Sequence, residues 1–225
     1  MRYLPLVVLV SMLACLPAFG ASSFLGGQSG NILTPDGLVT PQGSWDLSYH
    51  QFTNLLVDTD LTTFGVVFGV AEGLEIGASF LNNGSSETAV NAKLRLMAET
   101  PQRPAILVGV FDAASTFSDD SGLYLVISKN ITSTASDIAG EPSKPLRLNV
   151  GFGSGLYDGI FLGLDWTLQP QLSLMAEFSS GQIGDNDSFF NAGLRYAVSD
   201  AFRLDVATID FEDIAFGASY RFDMQ

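Results

Sequence analysis

His50 is the only histidine in this chain of 225 residues, and its nearest hydroxyl on the same strand face is Ser48, two positions away. A serine beside an imidazole is the pairing of nucleophilic hydrolysis, in which the base takes the hydroxyl proton. The single cysteine, Cys15, excludes a disulfide scaffold and a cysteine zinc site. Two acidic pairs, Asp119–Asp120 and Asp185–Asp187, offer the oxygens that hard divalent cations take, although without EF-hand spacing. No cofactor is expected beyond divalent cations held loosely at these outer acids. Two glycine-rich stretches, Gly26-Gly27-Gln28-Ser29-Gly30 and Gly151-Phe152-Gly153-Ser154-Gly155, lack the lysine or the following helix of a phosphate or dinucleotide loop.

A larger set of charged residues shares one phase of an alternating pattern. Lys93, Arg95, Arg147, Arg195, Arg203 and Arg221 fall on it, and so do Asp46, Glu75, Asp165, Glu177 and Asp205. The opposite phase is apolar. In 88–98 the faces are Val90, Ala92, Leu94 and Leu96 against Asn91, Lys93 and Arg95, and in 214–222 Ile214, Phe216, Ala218, Tyr220 and Phe222 oppose Ala215, Gly217, Ser219 and Arg221. Period-two alternation of this kind predicts strands, and twelve such segments can be read between Ser44 and Phe222.

The elements that position these charges therefore form an all-β, antiparallel transmembrane β-barrel of about twelve strands. Each segment is long enough to cross a bilayer as a tilted strand, and charge on the lipid face is costly, so the charged phase lines the lumen. The lumen-lining candidates are Lys93, Arg95, Arg147, Asp165, Glu177, Arg195, Arg203, Asp205 and Arg221. This predicts a polar, nearly charge-balanced lumen, with inward glycines (Gly65, Gly69, Gly77, Gly151, Gly163, Gly193, Gly217) leaving space or allowing curvature. Tight turns at 71–73, 169–171 and 199–201 alternate with longer loops at 54–60, 82–87, 113–122, 153–159 and 180–189, the pattern of short periplasmic turns and long outer loops. The connection 131–145 breaks that pattern. Aromatic residues band at two levels, with Trp45, Trp166, Tyr196, Phe202, Tyr220 and Phe222 near the periplasmic end and Phe52, Phe80, Phe111, Phe178 and Phe190 near the other.

Three regions follow. Residues 1–20 read as a cleaved signal peptide, with Arg2, an apolar run from Leu4 to Leu16, and Ala18-Phe19-Gly20. Residues 21–43 are a turn-rich segment, either a periplasmic element or a plug, and 44–225 are the barrel. The outer loops carry twelve acids, Asp119, Asp120, Asp185 and Asp187 among them, and no lysine or arginine. The partners this implies are outer-membrane lipid and lipopolysaccharide, a polysaccharide, and the barrel-assembly machinery. The net charge of −14 argues against nucleic acid.

Several stretches resemble the YjbH-like outer-membrane family. They are Gly27-Gln28-Ser29-Gly30-Asn31-Ile32-Leu33-Thr34-Pro35, Asn91-Ala92-Lys93-Leu94-Arg95, Leu148-Asn149-Val150-Gly151, Asp165-Trp166, Leu174-Met175-Ala176-Glu177-Phe178, Asn191-Ala192-Gly193-Leu194-Arg195-Tyr196 and Gly217-Ala218-Ser219-Tyr220-Arg221-Phe222. The resemblance spans the mature chain and implies a single-unit member, a non-enzymatic barrel of the Gram-negative outer membrane that assists exopolysaccharide production or export. The residues alone also allow a small porin-like diffusion channel and, on His50, a lipid hydrolase.

Overall fold

The computed structural model describes residues 21–56, 59–118, 120–132, 144–181 and 188–224. The expected signal peptide and the acids Asp119, Asp185 and Asp187 lie outside the described residues.

Twelve strands make one closed antiparallel barrel: β1 (Ser44–Leu56), β2 (Thr59–Ala71), β3 (Leu74–Asn82), β4 (Ser86–Met97), β5 (Ala105–Phe111), β6 (Gly122–Asn130), β7 (Leu146–Gly153), β8 (Gly159–Gln169), β9 (Leu172–Ser179), β10 (Phe189–Ala197), β11 (Phe202–Ile209) and β12 (Asp213–Asp223). Each pairs with its neighbours in sequence, and β12 pairs with β1 from Ser44↔Asp223 to Phe52↔Ala215, so no edge is left open. Side-chain alternation drives this architecture. On β10, Phe190, Leu194 and Tyr196 are exposed while Asn191 and Arg195 are buried. An exposed apolar band around a closed sheet is the surface that lipid requires. Among the described residues no helix is long and apolar enough to cross a membrane.

The end at which the chain enters β1 and leaves β12 is here the lower end. Trp45 stacks on Phe68 there, with ring centroids 4.6 Å apart. At the upper end Phe64 lies 6.1 Å from Phe80, and Phe190 stacks on Phe211 at 5.3 Å.

Three expectations need correction. The strands reach further at the upper end than the alternation suggested, and only residues 57 and 58 separate β1 from β2 in place of a loop over 54–60. Phe52 and Phe111 are not in the outer aromatic band; they point inward and are fully buried. The interior is not uniformly polar either. Phe52, Leu61, Leu81, Phe111, Phe161 and Ile209 are buried toward the upper end, in among polar and charged groups such as Glu177 and Asp112. The reason is that protein, not water, occupies the space, so the wall matches whatever packs against it.

The upper end is closed by its own loops. A short 3-10 turn, Gly155–Tyr157, tucks Leu156 and Tyr157 into the barrel. After β5 the chain turns at Asp112, whose φ of 52° lies in the left-handed region that aspartate and asparagine tolerate better than most residues. The buried Asp112 carboxylate accepts from the backbone N–H groups of Thr116, Phe117 and Ser118 at 3.0, 2.7 and 2.9 Å. Burial pushes its pKa up, but those amides outweigh burial and hold it below the usual aspartate value. One of the twelve outer acids is thus consumed in folding its loop.

A depressed pKa fixes the sign of the pH effect. The stabilisation is complete above the unfolded value near pH 4 and is lost as pH falls through the lower folded value. Asp112→Asn keeps the backbone preference and removes the charge. At pH 7 it should lower the hydrogen-exchange protection of the 116–118 amides by one to two orders of magnitude, corresponding to about 1.5–3 kcal/mol. Wild type and variant should converge as the pH falls through the lowered folded value of Asp112.

Candidate functional site

Residues 21–43 run inside the barrel. Every residue from Ala21 to Gly37 is buried. The segment folds on itself as two tight turns. In the first, Ser22 bridges to Ser29 and Ser23 N–H donates to the Gln28 carbonyl at 3.0 Å. Gly26 and Gly27 supply the positive φ angles this turn needs, 73° and 63°. In the second, Gly30 bridges to Pro35 and Asn31 N–H donates to the Thr34 carbonyl at 2.9 Å.

The second turn holds an anion. The backbone N–H groups of Ile32, Leu33 and Thr34 donate to the Glu177 carboxylate at 3.2, 2.7 and 3.0 Å. Thr34 Oγ1 and Asn191 Nδ2 donate to it at 2.8 and 2.7 Å. Successive amides aimed at one carboxylate form an anion nest, here closed around a barrel residue.

A second lock lies between β3 and β4. Lys93 Nζ is fully buried and spends its three protons on the Ser29 carbonyl, Ser29 Oγ and Asp36 Oδ1, at 2.9, 2.8 and 2.9 Å. Ser29 Oγ donates in turn to Glu75, which also accepts from Ser29 N–H at 2.8 Å and Thr40 N–H at 2.6 Å. On the far wall Arg195 donates from Nε to Asp205 at 2.7 Å and from Nη2 to the Ser22 carbonyl at 3.0 Å. Ser22 Oγ donates to Asp46 at 2.5 Å, and Arg221 Nη2 donates to the same carboxylate group at 3.0 Å. At the top Gln28 joins the segment to the wall and to the upper cap. Its Oε1 accepts from Tyr124 at 2.8 Å and its Nε2 donates to Tyr157 at 2.5 Å.

The barrel sheet sets up these contacts by register. Glu75↔Lys93, Arg147↔Asp165, Arg195↔Asp205 and Asp46↔Arg221 are direct cross-strand partners. The inward glycines are seats for the segment rather than open lumen. A Cβ on Gly65 would lie 2.5 Å from Gly26 Cα, one on Gly77 2.3 Å from the Gly27 carbonyl, and one on Gly69 1.9 Å from the Pro41 carbonyl. Gly163 makes room for Asn31 in the same way, while Gly151 and Gly217 accommodate the Phe161 and His50 rings.

Of the lumen-lining candidates, Lys93, Glu177 and Arg195 hold the segment directly, and Asp205 holds Arg195. Arg221 and Arg203 face Asp46, at 3.0 and 3.8 Å. Arg147 turns to Glu99 at 2.8 Å, near the lower rim, and Arg95 to the exposed Glu72 at 3.6 Å. Asp165 sits opposite Arg147 in register. Glu99 was not among the candidates. Burial pushes its carboxyl up, but Asn130 N–H, Arg147 and Lys129 outweigh burial and hold it below the usual glutamate value. Sequence reasoning also passed over Ser29, Thr34, Gln28, Tyr124 and Tyr157. For Gln28, Ser29 and Thr34 the sequence signals were the two turn motifs in 21–43 and their place in the stretches that resemble the YjbH-like family. His50 is fully buried, stacks on Phe24 at 4.4 Å and reaches Asp205 at 3.3 Å. Ser48 Oγ makes no hydrogen bond to it, so the two do not form a nucleophile–base pair. Among the described residues no group of three or more potential ligands can hold a metal ion.

No family model and no curated protein matches the chain. Solved structures do match in fold. The KdgM porin superposes with a TM-score of 0.55 at 13% identity, over 80% of this chain and 99% of the porin. KdgM in complex with disordered oligogalacturonate gives 0.52 at 11% identity, over 81% and 99%. The NanC porin gives 0.51 at 8% identity, over 80% and 100%. The chain thus shares its closed-barrel fold with these porins.

Glu177→Gln keeps the shape but replaces one accepting oxygen with a donor facing the nest. It should destabilise the seated segment by about 1–3 kcal/mol. A Leu38→Cys reporter should then react with maleimide roughly tenfold faster or more, with the barrel itself still heat-modifiable on gels.

Proposed function

We propose that the protein is a small-solute channel of the Gram-negative outer membrane, non-catalytic, that its own residues 21–43 hold shut. The observation that carries this reading is how the segment is attached. Among the described residues its backbone is bonded to the backbone of the wall only at its base, by the Gln42↔Gly69 bridge and by Met224 N–H donating to the Gly43 carbonyl. Hydrogen bonds to wall side chains hold it, together with packing of Phe24, Leu25, Ile32 and Leu33. The segment can therefore leave without breaking a barrel ladder, and the groups that held it would then line a charged, water-filled path. The fold shared with KdgM and NanC supports a channel, and the oligogalacturonate bound to KdgM suggests oligosaccharides as the solute class. The apolar outer band and aromatic levels support the outer-membrane placement.

A second reading is accessory service in surface polysaccharide production or export, from the YjbH-like resemblance. One observation favours it. The motif residues that carry the resemblance include the locking groups themselves: Gln28, Ser29, Thr34, Lys93, Glu177, Asn191, Arg195 and Arg221. Unchanged surface polysaccharide in a deletion strain under inducing conditions would remove it.

Planar-bilayer recordings test the channel. Wild-type protein should stay closed with rare openings. Gly65→Val, whose side chain would collide with Gly26 Cα and Gly27 N, should open for a large fraction of the time. If maleimide labelling shows the segment released in Gly65→Val and no current flows, the channel reading fails.

A further inference from the structure

The charges of the inner wall differ in what they keep once the segment has left. Five of the six inward bases keep a carboxylate of the wall or its rim. Arg195 holds Asp205, Arg221 and Arg203 face Asp46, Arg147 holds Glu99, and Arg95 reaches Glu72. The sixth, Lys93, loses Asp36 of the segment but retains Glu75 as its direct partner on β3. Asp165 likewise retains Arg147 as its direct partner on β7.

Glu177 keeps no cation. Its direct partners on β8 and β10 are Gly163 and Asn191, both neutral. Its donors are the amides of Ile32, Leu33 and Thr34, the Thr34 hydroxyl and the Asn191 side chain, so all but the last depart with the segment. No ion pair among the described residues includes it. It stands two residues below the upper end of β9, and the upper loops above it carry twelve acids and no lysine or arginine. The upper mouth and the lone charge inside it thus have one sign. Such a path concentrates ions of the opposite sign and repels its own.

The seated segment also shows what these carboxylates accept from a neutral partner. Ser22, Ser29 and Thr34 each donate a hydroxyl to a wall carboxylate, Asp46, Glu75 and Glu177, at 2.5, 2.8 and 2.8 Å. Lys93 donates to the Ser29 hydroxyl at 2.8 Å in return. An uncharged oligosaccharide offers hydroxyls of the same kind and brings no charge for Glu177 to repel, whereas an acidic one adds carboxylates.

We propose that Glu177 sets the selectivity of the opened path, which favours cations over anions and takes uncharged oligosaccharides while refusing acidic ones. This rests on the channel reading above and narrows its solute class.

The test uses full-length mature Gly65→Val protein in planar bilayers, with release of the segment confirmed by maleimide labelling of Leu38→Cys. Under a KCl gradient the reversal potential should give a potassium-over-chloride permeability ratio of about five or more, as a lone carboxylate in a narrow path between low-dielectric walls produces. Adding Glu177→Gln should cut that ratio to about half or less. Maltotriose should reduce the current saturably, and trigalacturonate at the same concentration should not. A ratio near unity, a preference for chloride, a ratio unmoved by Glu177→Gln, no block by maltotriose, or equal block by trigalacturonate overturns the inference and leaves the channel reading standing. A released segment with no current fails the channel reading, and this inference with it. If Gly65→Val does not fold, Gly26→Val is measured in the same way. It displaces the segment from its own side, since a Cβ there would lie 2.8 Å from Gly65 Cα at a φ of 73°.

Discussion

Glu177 carries its charge in a place that is 2% exposed, and five donors meet it, three of them amides of residues 32–34. A carboxylate taken out of water costs several kcal/mol unless it is answered in this way. That requirement organises the interior. Lys93, Glu75, Arg195 and Asp46 have the same need, and each is answered by residues 22–40 or by a group those residues touch. The segment therefore has one seating. Moved along by a residue, it would strand several charges together, because each lock faces a different part of it.

The wall shows how this specificity is built into strand pairing. Long charged side chains sit beside glycines on the same rung or the next, as with Glu177 opposite Gly163 and Glu75 opposite Gly69. The charge reaches inward, while the missing side chain lets the segment's backbone come close enough to be gripped. Pairing opposite charges across strands adds stiffness without dependence on solvent. Packing of Phe24, Leu25, Ile32 and Leu33 adds apolar contact to the polar grip.

Much of the fold was legible in the residues. Alternation placed twelve strands and separated lipid-facing from inward positions, because a one-residue slip would expose every charge to lipid. The inward charges were therefore visible, but their purpose was not. Lys93 and Glu177 read as lumen lining because alternation reports a direction and says nothing of what lies in that direction. The partners are contributed by a segment with no periodicity, whose turns are legible locally but whose docking is set by contacts more than a hundred residues away, such as Gln28 with Tyr157. Phe52 and Phe111 were misplaced for a related reason. An aromatic residue near a strand end suits a membrane interface and a packed core equally well, and only phase separates the two. Asp112 shows the limit for loops, since an acid that organises its own turn has the same composition as one facing solvent.

The inner segment is a loop whose two ends return to the same end of the barrel, Ser22 at Asp46 and Gly43 at the start of β1. That geometry fixes its mechanical behaviour. Tension applied from below at the Ser22 end would load the contacts one after another, beginning with Asp46 and Arg195 and reaching Glu177 later. Tension shared by both ends would load the Glu75–Lys93 and Glu177 locks together. The same set of bonds is thus soft to peeling and stiff to bulk extraction, and which force it meets depends only on where a partner grips.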